Sequence, residues 1–583
     1  MSVLHAFRTS MRRSLSRSLS GFVVGAVASA AMAVVPTPQV TGPIPYVALG
    51  TADHNYPFLA TDMNLASRGY VEEEFFYSGT ANRYNAQSPN ATGPAPTADI
   101  VSSGNPYKTR MMVRRPIDPK KFNGILIAEW TNVTSLMDTP QVWFRNHEQF
   151  MRDGYAYVGI AAQNLHIAAI PNGLRSWSPV RYGTLDIAND DLSYDVFAQG
   201  AQAARSVPAV MGGLNVRRVI ATGVSQSATR LAIYVNAIHP RDPIVDGVQP
   251  IIGGQKIRED LTIPVMKVLS EVEFPTTQTT NRQPDTDRFR TWWVTGTSHS
   301  ENHMRVTSYS IYLRDLTNPS LADVCTLPTR PRIPFHYVEA AAIDAMVKWI
   351  EQGVQPAHSP LPEYSSLSPV RVARDANGNG LGGIRLAPFA VPTALSTGQN
   401  TGGGNCSLYG VHVPFDTATL ASLYPTHDGY VNAIKAVAEQ NVRDGFVLEK
   451  DAQEMIQDAQ ASIVGTGLVC GPLCVNFKQF MSNPSPANLR DITEAYYFTA
   501  PQLLLARLDK ATRFLAEGYT AAAQADAVTK NAKFKTAVQS LELYINDIAK
   551  LPSQGRGEKL ITDMLIDWTD VLIDAIEAEA GTP

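Results

Sequence analysis

Val216-Arg-Arg-Val-Ile-Ala-Thr-Gly-Val-Ser-Gln-Ser227 is the stretch on which the fold turns. Its first part, Val216 to Thr222, is rich in β-branched residues and reads as a buried strand. Gln226 to Ile238 reads as the helix that follows. Between them Gly223-Val-Ser-Gln-Ser227 is a G-x-S-x-small motif, the pattern of a sharp strand-to-helix turn that holds a serine exposed above a sheet. Such a turn leaves no room for side chains two positions either side of the serine. Gly223 and the small Ser227 satisfy this, although glycine is commoner in the last place. Ser225 is therefore the candidate nucleophile. The backbone N–H of Gln226, at the helix start, points to where a developing oxyanion would sit. The plainer alternative is a tight turn carrying an unreactive hydroxyl.

Working outward, Phe122 to Trp130, Tyr155 to Ile160, Ile263 to Leu269 and Arg290 to Thr295 are further apolar runs of strand length. Helical stretches separate them: His147 to Arg152, Ser193 to Arg205 with Ser193 as a cap candidate, and Ala340 to Glu351 closed by Gly353. Continuous Val/Ile-rich runs alternating with helices predict an α/β fold over about residues 40–360, a mostly parallel sheet covered on both faces.

A serine in this setting needs an acid and a histidine downstream, in that order. Pro264-Val-Met-Lys-Val-Leu-Ser-Glu-Val-Glu273 places Glu271 and Glu273 at the carboxyl end of a strand, where ligand chemistry collects in such sheets. Read as extended chain, the two share one side. One suffices to orient an imidazole and stabilise its cation. Glu273 reaches further beyond the strand and is favoured; Glu271 is the rival. Either could instead be a solvated carboxylate or pair with Arg282 or Lys267. The next strand runs into Gly296-Thr-Ser-His299, which makes His299 the candidate general base, with His303 one helical turn on as the alternative. A second oxyanion donor is expected from the loop Glu129-Trp-Thr-Asn-Val133, from a backbone N–H around Asn132 or Val133. Alternatively Trp130 and Asn132 pack and cap that turn.

Of 583 residues, 44% are hydrophobic and 17% charged, enough to bury a large core and incompatible with a disordered chain. The net charge of −4 offers no basic excess for phosphates, so nucleic acid is not an expected partner. Residues 1–33 read as a secretory signal peptide. Arg8, Arg12, Arg13 and Arg17 precede the apolar run Gly21 to Ala28, and Ala31-Met-Ala33 is a small-x-small cleavage signal before Pro36. The apolar run is too short for a bilayer span of about 20 residues. Losing this acid-free segment with its four arginines would take the net charge to −8. The expected mature protein is secreted or periplasmic and carries no transmembrane anchor. Export makes disulfides the default for Cys325, Cys406, Cys470 and Cys474. Cys470 with Cys474 closes a local loop and leaves Cys325 with Cys406, though spacing alone does not decide connectivity.

The expected domains are the signal peptide 1–33, a catalytic unit 34–465, a linker 466–490 and a helical module 491–583. In the last, three stretches each show one apolar face. They are Leu504, Leu508, Ala511 and Leu515; then Phe534, Val538, Leu541, Ile545 and Ile548; then Ile561, Leu565, Trp568, Leu572 and Ile576. A small helical bundle is the expected product. Asp375-Ala-Asn-Gly-Asn-Gly380 opens like a calcium loop, but Leu386 stands where a bidentate glutamate is needed, so a Gly/Asn turn is the better reading. His147, His166, His336 and His427 show no ligand spacing and read as structural; no metal or cofactor is expected.

The Ser–acid–His order and the serine turn resemble the α/β-hydrolase fold. Several segments are similar to a secreted bacterial branch of it, the alpha/beta hydrolase domain family: Glu129 to Val133, Arg181 to Thr184, Ser193 to Asp195, Gly223 to Ser227, Ser270 to Glu273, Gly296 to His299, Gly382 to Arg385, and Val413 to Phe415 through Tyr424 to His427. The likeness spans about 40–465 and implies a serine hydrolase using an acyl-enzyme. Family habit favours carboxylic esters over amides, with the substrate unnamed and a polymeric one among the options. A peptidase or amidase with the same triad, and a non-catalytic surface protein, are the other classes. Thr131 departs from the pattern, where a larger apolar residue is usual. Residues 490–583 resemble the three-helix FIVAR/FIMAH modules of secreted bacterial enzymes, which implies attachment to a polymer or cell surface.

Overall fold

The computed structural model describes residues 35–86, 98–253, 255–316, 325–468, 489–490, 493, 501–551 and 556–581. The signal-peptide, 466–490 linker and Cys470–Cys474 expectations fall wholly or largely outside these residues.

A ten-stranded mixed sheet organises the chain. Strands β1 (Gln39–Thr41), β2 (Tyr70–Tyr84), β3 (Ile100–Pro116), β4 (Ile125–Trp130), β5 (Ala156–Ile160), β6 (Asp186–Ile187), β7 (Arg218–Val224), β8 (Gly247–Ile251), β9 (Val265–Ser270) and β10 (Phe289–Val294) lie in the order β1-β2-β3-β5-β4-β7-β8-β9-β10, with β6 paired to β3. From β5 to β10 all pairs are parallel; β1, β2 and β3 add antiparallel strands at one edge. The expected parallel runs appear within about three residues of their sequence limits. They are mostly apolar because every residue of β4, β5, β8, β9 and β10 is buried, with Gln249, Lys267, Arg290 and Thr291 among the buried polar exceptions.

The long hairpin of β2 and β3 had no counterpart in the sequence reading. Its strands carry charges where apolar residues would mark a core. Glu72 pairs with Arg114 at 2.7 Å, Glu73 with Arg115 at 2.7 Å and Glu74 with Arg110 at 2.8 Å. Arg110, Arg114 and Glu74 are fully buried, so cross-strand ion pairing replaces hydrophobic patterning there.

Helices cover the sheet: α1 (Gln141–Asp153), α2 (Ser193–Ser206), α3 (Gln226–Ile233), α4 (Asn302–Asp315) and α5 (Phe335–Gln352). Helix α5 starts five residues before the expected Ala340 and stops at Gly353, whose φ of 72° closes it. The single helical stretch expected between Asp428 and Ser462 is two antiparallel helices, α6 (His427–Arg443) and α7 (Glu449–Ala461). Two hairpins, β11 (Tyr364–Leu367) with β12 (Val370–Val372) and β13 (Ala394–Thr397) with β14 (Val411–Pro414), fill the stretch between α5 and α6. Cys325 and Cys406 form a disulfide in this region. The C-terminal helices α8 (Pro501–Ala523), α9 (Ala527–Ala549) and α10 (Arg556–Ala580) form a helical module. They bury Leu504, Leu508, Leu515, Phe534, Leu541, Leu565, Leu572 and Ile576 against one another, and Val306 of α4 joins that core. Among the described residues no helix is long and apolar enough to cross a membrane.

The chain leaves β4 toward β5 on one side and returns to β7 on the other. β4 and β7 are therefore neighbours across a change of direction, and the loops at their carboxyl ends lie where open sheets of this kind bind ligands.

Candidate active site

Ser225 stands directly after β7 with φ 61° and ψ −113°, a conformation that costs a non-glycine residue about 1–3 kcal/mol and needs its surroundings to enforce it. The neighbouring strands do so. Ser225 N–H donates to Ile251 O of β8 at 2.9 Å. Asn132, in the loop after β4, donates from Nδ2 to Val224 O at 2.9 Å. Ser227 closes the turn from within: its hydroxyl accepts from Val224 N–H at 3.0 Å and donates to Val224 O at 2.9 Å. This explains a serine where glycine is commoner. A Cβ on Gly223 would sit 3.1 Å from Leu231 Cδ1 and from Ser227 Oγ, a tight fit that those side chains would have to yield a few tenths of an ångström to admit.

His299 lies between Ser225 and Glu273. Its Nε2 is 2.9 Å from Ser225 Oγ and its Nδ1 is 2.7 Å from Glu273 Oε1. Glu273 is held in turn: Oε2 accepts from Ser270 N–H at 3.2 Å and from Ser270 Oγ at 2.6 Å. Strand β9 ends at Ser270, and Glu271 to Glu273 coil into a 3-10 turn. The two glutamates therefore do not share a side, as extended chain would have them do. Glu271 is buried 1% exposed and accepts from Gly296 N–H at 2.8 Å, Gly398 N–H at 3.2 Å and Arg374 at 2.6 Å. His303 is turned away as well. It is half-buried in α4, its ring stacked at 3.8 Å on His336 and 6.1 Å from His147.

That row of three histidines joins two residues read as unrelated, and its geometry is that of packing. Parallel rings aim their nitrogens outward in their own planes, not at one point. Burial pushes His147 down to about 3 and His303 well below the ordinary histidine value. Among the described residues no group of three or more His, Cys, Asp or Glu is placed to hold a metal. Asp375 caps a turn, its Oδ1 accepting from Asn377 and Asn379 N–H at 2.9 and 3.0 Å.

Three backbone groups were singled out as oxyanion donors. Asn132 N–H donates to Thr139 O at 2.9 Å and is committed to its own loop. Among the described residues no acceptor meets the N–H of Val133 or of Gln226, the first residue of α3. Thr131, the departure from the expected pattern, donates to Ile160 O at 2.9 Å and pins this loop to β5. Gln163 was missed by sequence reading. Its Oε1 accepts from Trp130 Nε1 at 3.1 Å and Gln226 Nε2 at 3.0 Å, while its Nε2 donates to Asp190. A lone glutamine after a strand carries no sequence signal for such a role. His166 is structural as read: Nδ1 accepts from Gln163 N–H at 3.0 Å, which leaves Nε2–H for Thr131 O at 3.1 Å.

Residues 40–457 match the family model described as alpha/beta hydrolase domain. Among solved structures, that of the esterase Est22 is 14% identical over 42% of this chain and 79% of its own, with a TM-score of 0.26. A prolyl endopeptidase structure is 11% identical over 50% of this chain and 38% of its own, with a TM-score of 0.21. No curated protein matches the chain.

Proposed function

Because the chain belongs to the alpha/beta hydrolase domain family, and is by that membership a hydrolase, we propose that it cleaves carboxylic esters through Ser225, His299 and Glu273. The observation that carries this reading is the His299 ring, bonded on one nitrogen to a strained serine and on the other to a carboxylate. Serine is a weak nucleophile unaided. His299 Nε2 takes the Oγ proton as Oγ bonds to the acyl carbon, and Glu273 holds Nδ1–H and offsets the imidazolium charge. The carbonyl electrons move onto oxygen, to which the N–H groups of Gln226 and Val133 donate hydrogen bonds. The carbonyl re-forms as the bond to the leaving alcohol breaks, and His299 returns the proton to that alcohol. Water, activated by the same base, then releases the acid and restores Ser225. Glu271 has no part in these proton transfers, being spent on Gly296, Gly398 and Arg374. We read residues 1–33 as a cleaved export signal and the Cys325–Cys406 disulfide as suited to an oxidising compartment. The helices α8 to α10 would then serve attachment to a polymer or surface.

The test is labelling of the mature protein with a fluorophosphonate probe, beside Ser225→Ala and His299→Ala, with p-nitrophenyl esters and casein as substrates. We expect labelling and ester turnover in the wild type and a loss of at least about 10³-fold in both variants. Casein cleavage without ester turnover would select a peptidase. A folded wild type that takes no label would leave a binding protein.

A further inference from the structure

We propose that Arg145 and Glu271 are positioning residues, two buried charges that clamp the two ends of the Gly296–His299 loop and so set the general base against the nucleophile. This rests on the reading of His299 as that base. The base must be held to within about 0.5 Å of its productive place. The loop has no regular structure to hold it there.

At the carboxyl end, Arg145 of α1 donates from Nη2 to the carbonyl of His299 itself at 2.9 Å. Its side chain is fully buried, and its other Nη meets Glu339 at 3.0 Å and Glu301 at 3.3 Å. Burial pushes both carboxyls up. At Glu301 burial is outweighed only by Arg145 and His336 together, which hold its carboxyl below the usual carboxylate value, whereas burial keeps Glu339 above it. An arginine needed only to neutralise those two glutamates would not have to reach a loop carbonyl. Arg145 also sits on the helix that follows the 131–139 loop, which carries the Val133 donor. It therefore ties the loop carrying Val133 to the loop carrying the base.

At the amino end, Glu271 Oε2 accepts from Gly296 N–H, and its other oxygen binds Arg374 and Gly398 N–H. Gly296 has φ 77°, and a Cβ there would run into the Phe389 ring, so the loop enters by one path only. Beyond the loop, Ser300 N–H donates to Leu408 O at 3.0 Å and Arg330 donates to Ser300 O at 2.9 Å.

The experiment measures kcat and KM on a p-nitrophenyl ester together with hydrogen–deuterium exchange of peptides spanning residues 295–301. The proteins are wild type, Arg145→Met, Arg145→Lys, Glu271→Leu and Glu271→Gln. Arg145→Met strands two buried carboxylates, so Arg145→Met with Glu339→Gln is made alongside to secure a folded sample. We expect kcat to fall about 10- to 100-fold in the Met and Leu variants with KM within about threefold. We expect Lys and Gln to restore part of the rate, and loop exchange to quicken while peptides of β7 stay protected. Loop exchange equal to wild type in folded variants, or KM rising while kcat holds, would overturn the proposal. If the wild type turns over no ester, the proposed function fails, and the exchange measurement still decides the clamp.

Discussion

Glu273 and Glu271 stand two residues apart and do different work, which makes them the sharpest residue-scale contrast in the chain. Chemistry gives both the same carboxylate; the 3-10 turn after Ser270 sends one toward His299 Nδ1 and the other beneath Gly296. Glu273→Gln should therefore keep the fold and lower kcat by about 10³- to 10⁴-fold, because the amide can offer its N–H to Nδ1 and stabilise the wrong tautomer. The check is steady-state kinetics beside a thermal melt: a kcat within tenfold of wild type removes Glu273 from the mechanism. Ser227 teaches the complementary lesson. The motif asks only for a small residue there, and the hydroxyl adds two bonds across the turn that a glycine could not make.

Helix α1 carries the element-scale argument. Its N-terminal N–H groups, Val142 and Trp143, donate to Glu129 at 3.0 and 3.3 Å, and Tyr157 OH donates to the same carboxylate at 2.6 Å. Burial nevertheless dominates and pushes Glu129 up to about 8 from an ordinary value of 4.5. The folded protein therefore holds this proton more tightly than the unfolded chain. Stability contributed by this site falls as pH rises from about 4.5 toward 8. Glu129→Gln removes that dependence, so the Tm difference, variant minus wild type, should grow more positive between about pH 5 and about pH 8. A difference that is flat or shrinks across that range shows that the three donors keep the carboxylate ionised throughout.

Across the whole molecule, the Cys325–Cys406 disulfide spans 81 residues and braces the side of the fold on which His299 sits. Cys406 opens the short turn Cys406–Leu408, whose last carbonyl receives Ser300 N–H. Closing a loop of that length is worth about 4 kcal/mol through the unfolded state. Cys325→Ser with Cys406→Ser should lower unfolding free energy by up to about that amount in urea titrations. If His299 acts as proposed, it should also cost turnover before it costs folding, since the Leu408 contact is made by Ser300, the residue next to His299. Loss of stability with an unchanged kcat would confine the bridge to a structural role.

The parallel strands, the strand-to-helix turn at Ser225 and the helical C-terminus were legible because each rests on local pattern. Buried parallel strands are continuously apolar, a strained turn selects small neighbours, and a helix face repeats every three to four residues. The β2–β3 hairpin was not legible, because Glu74 and Arg110 look solvated until a partner strand pairs them. Nor could sequence separate Glu271 from Glu273, since a single turn after Ser270 decides it. Arg145, Gln163 and the histidine row lay beyond sequence altogether. Arg145 is 154 residues from the carbonyl it holds, and contacts over such distances exist only once the sheet has closed.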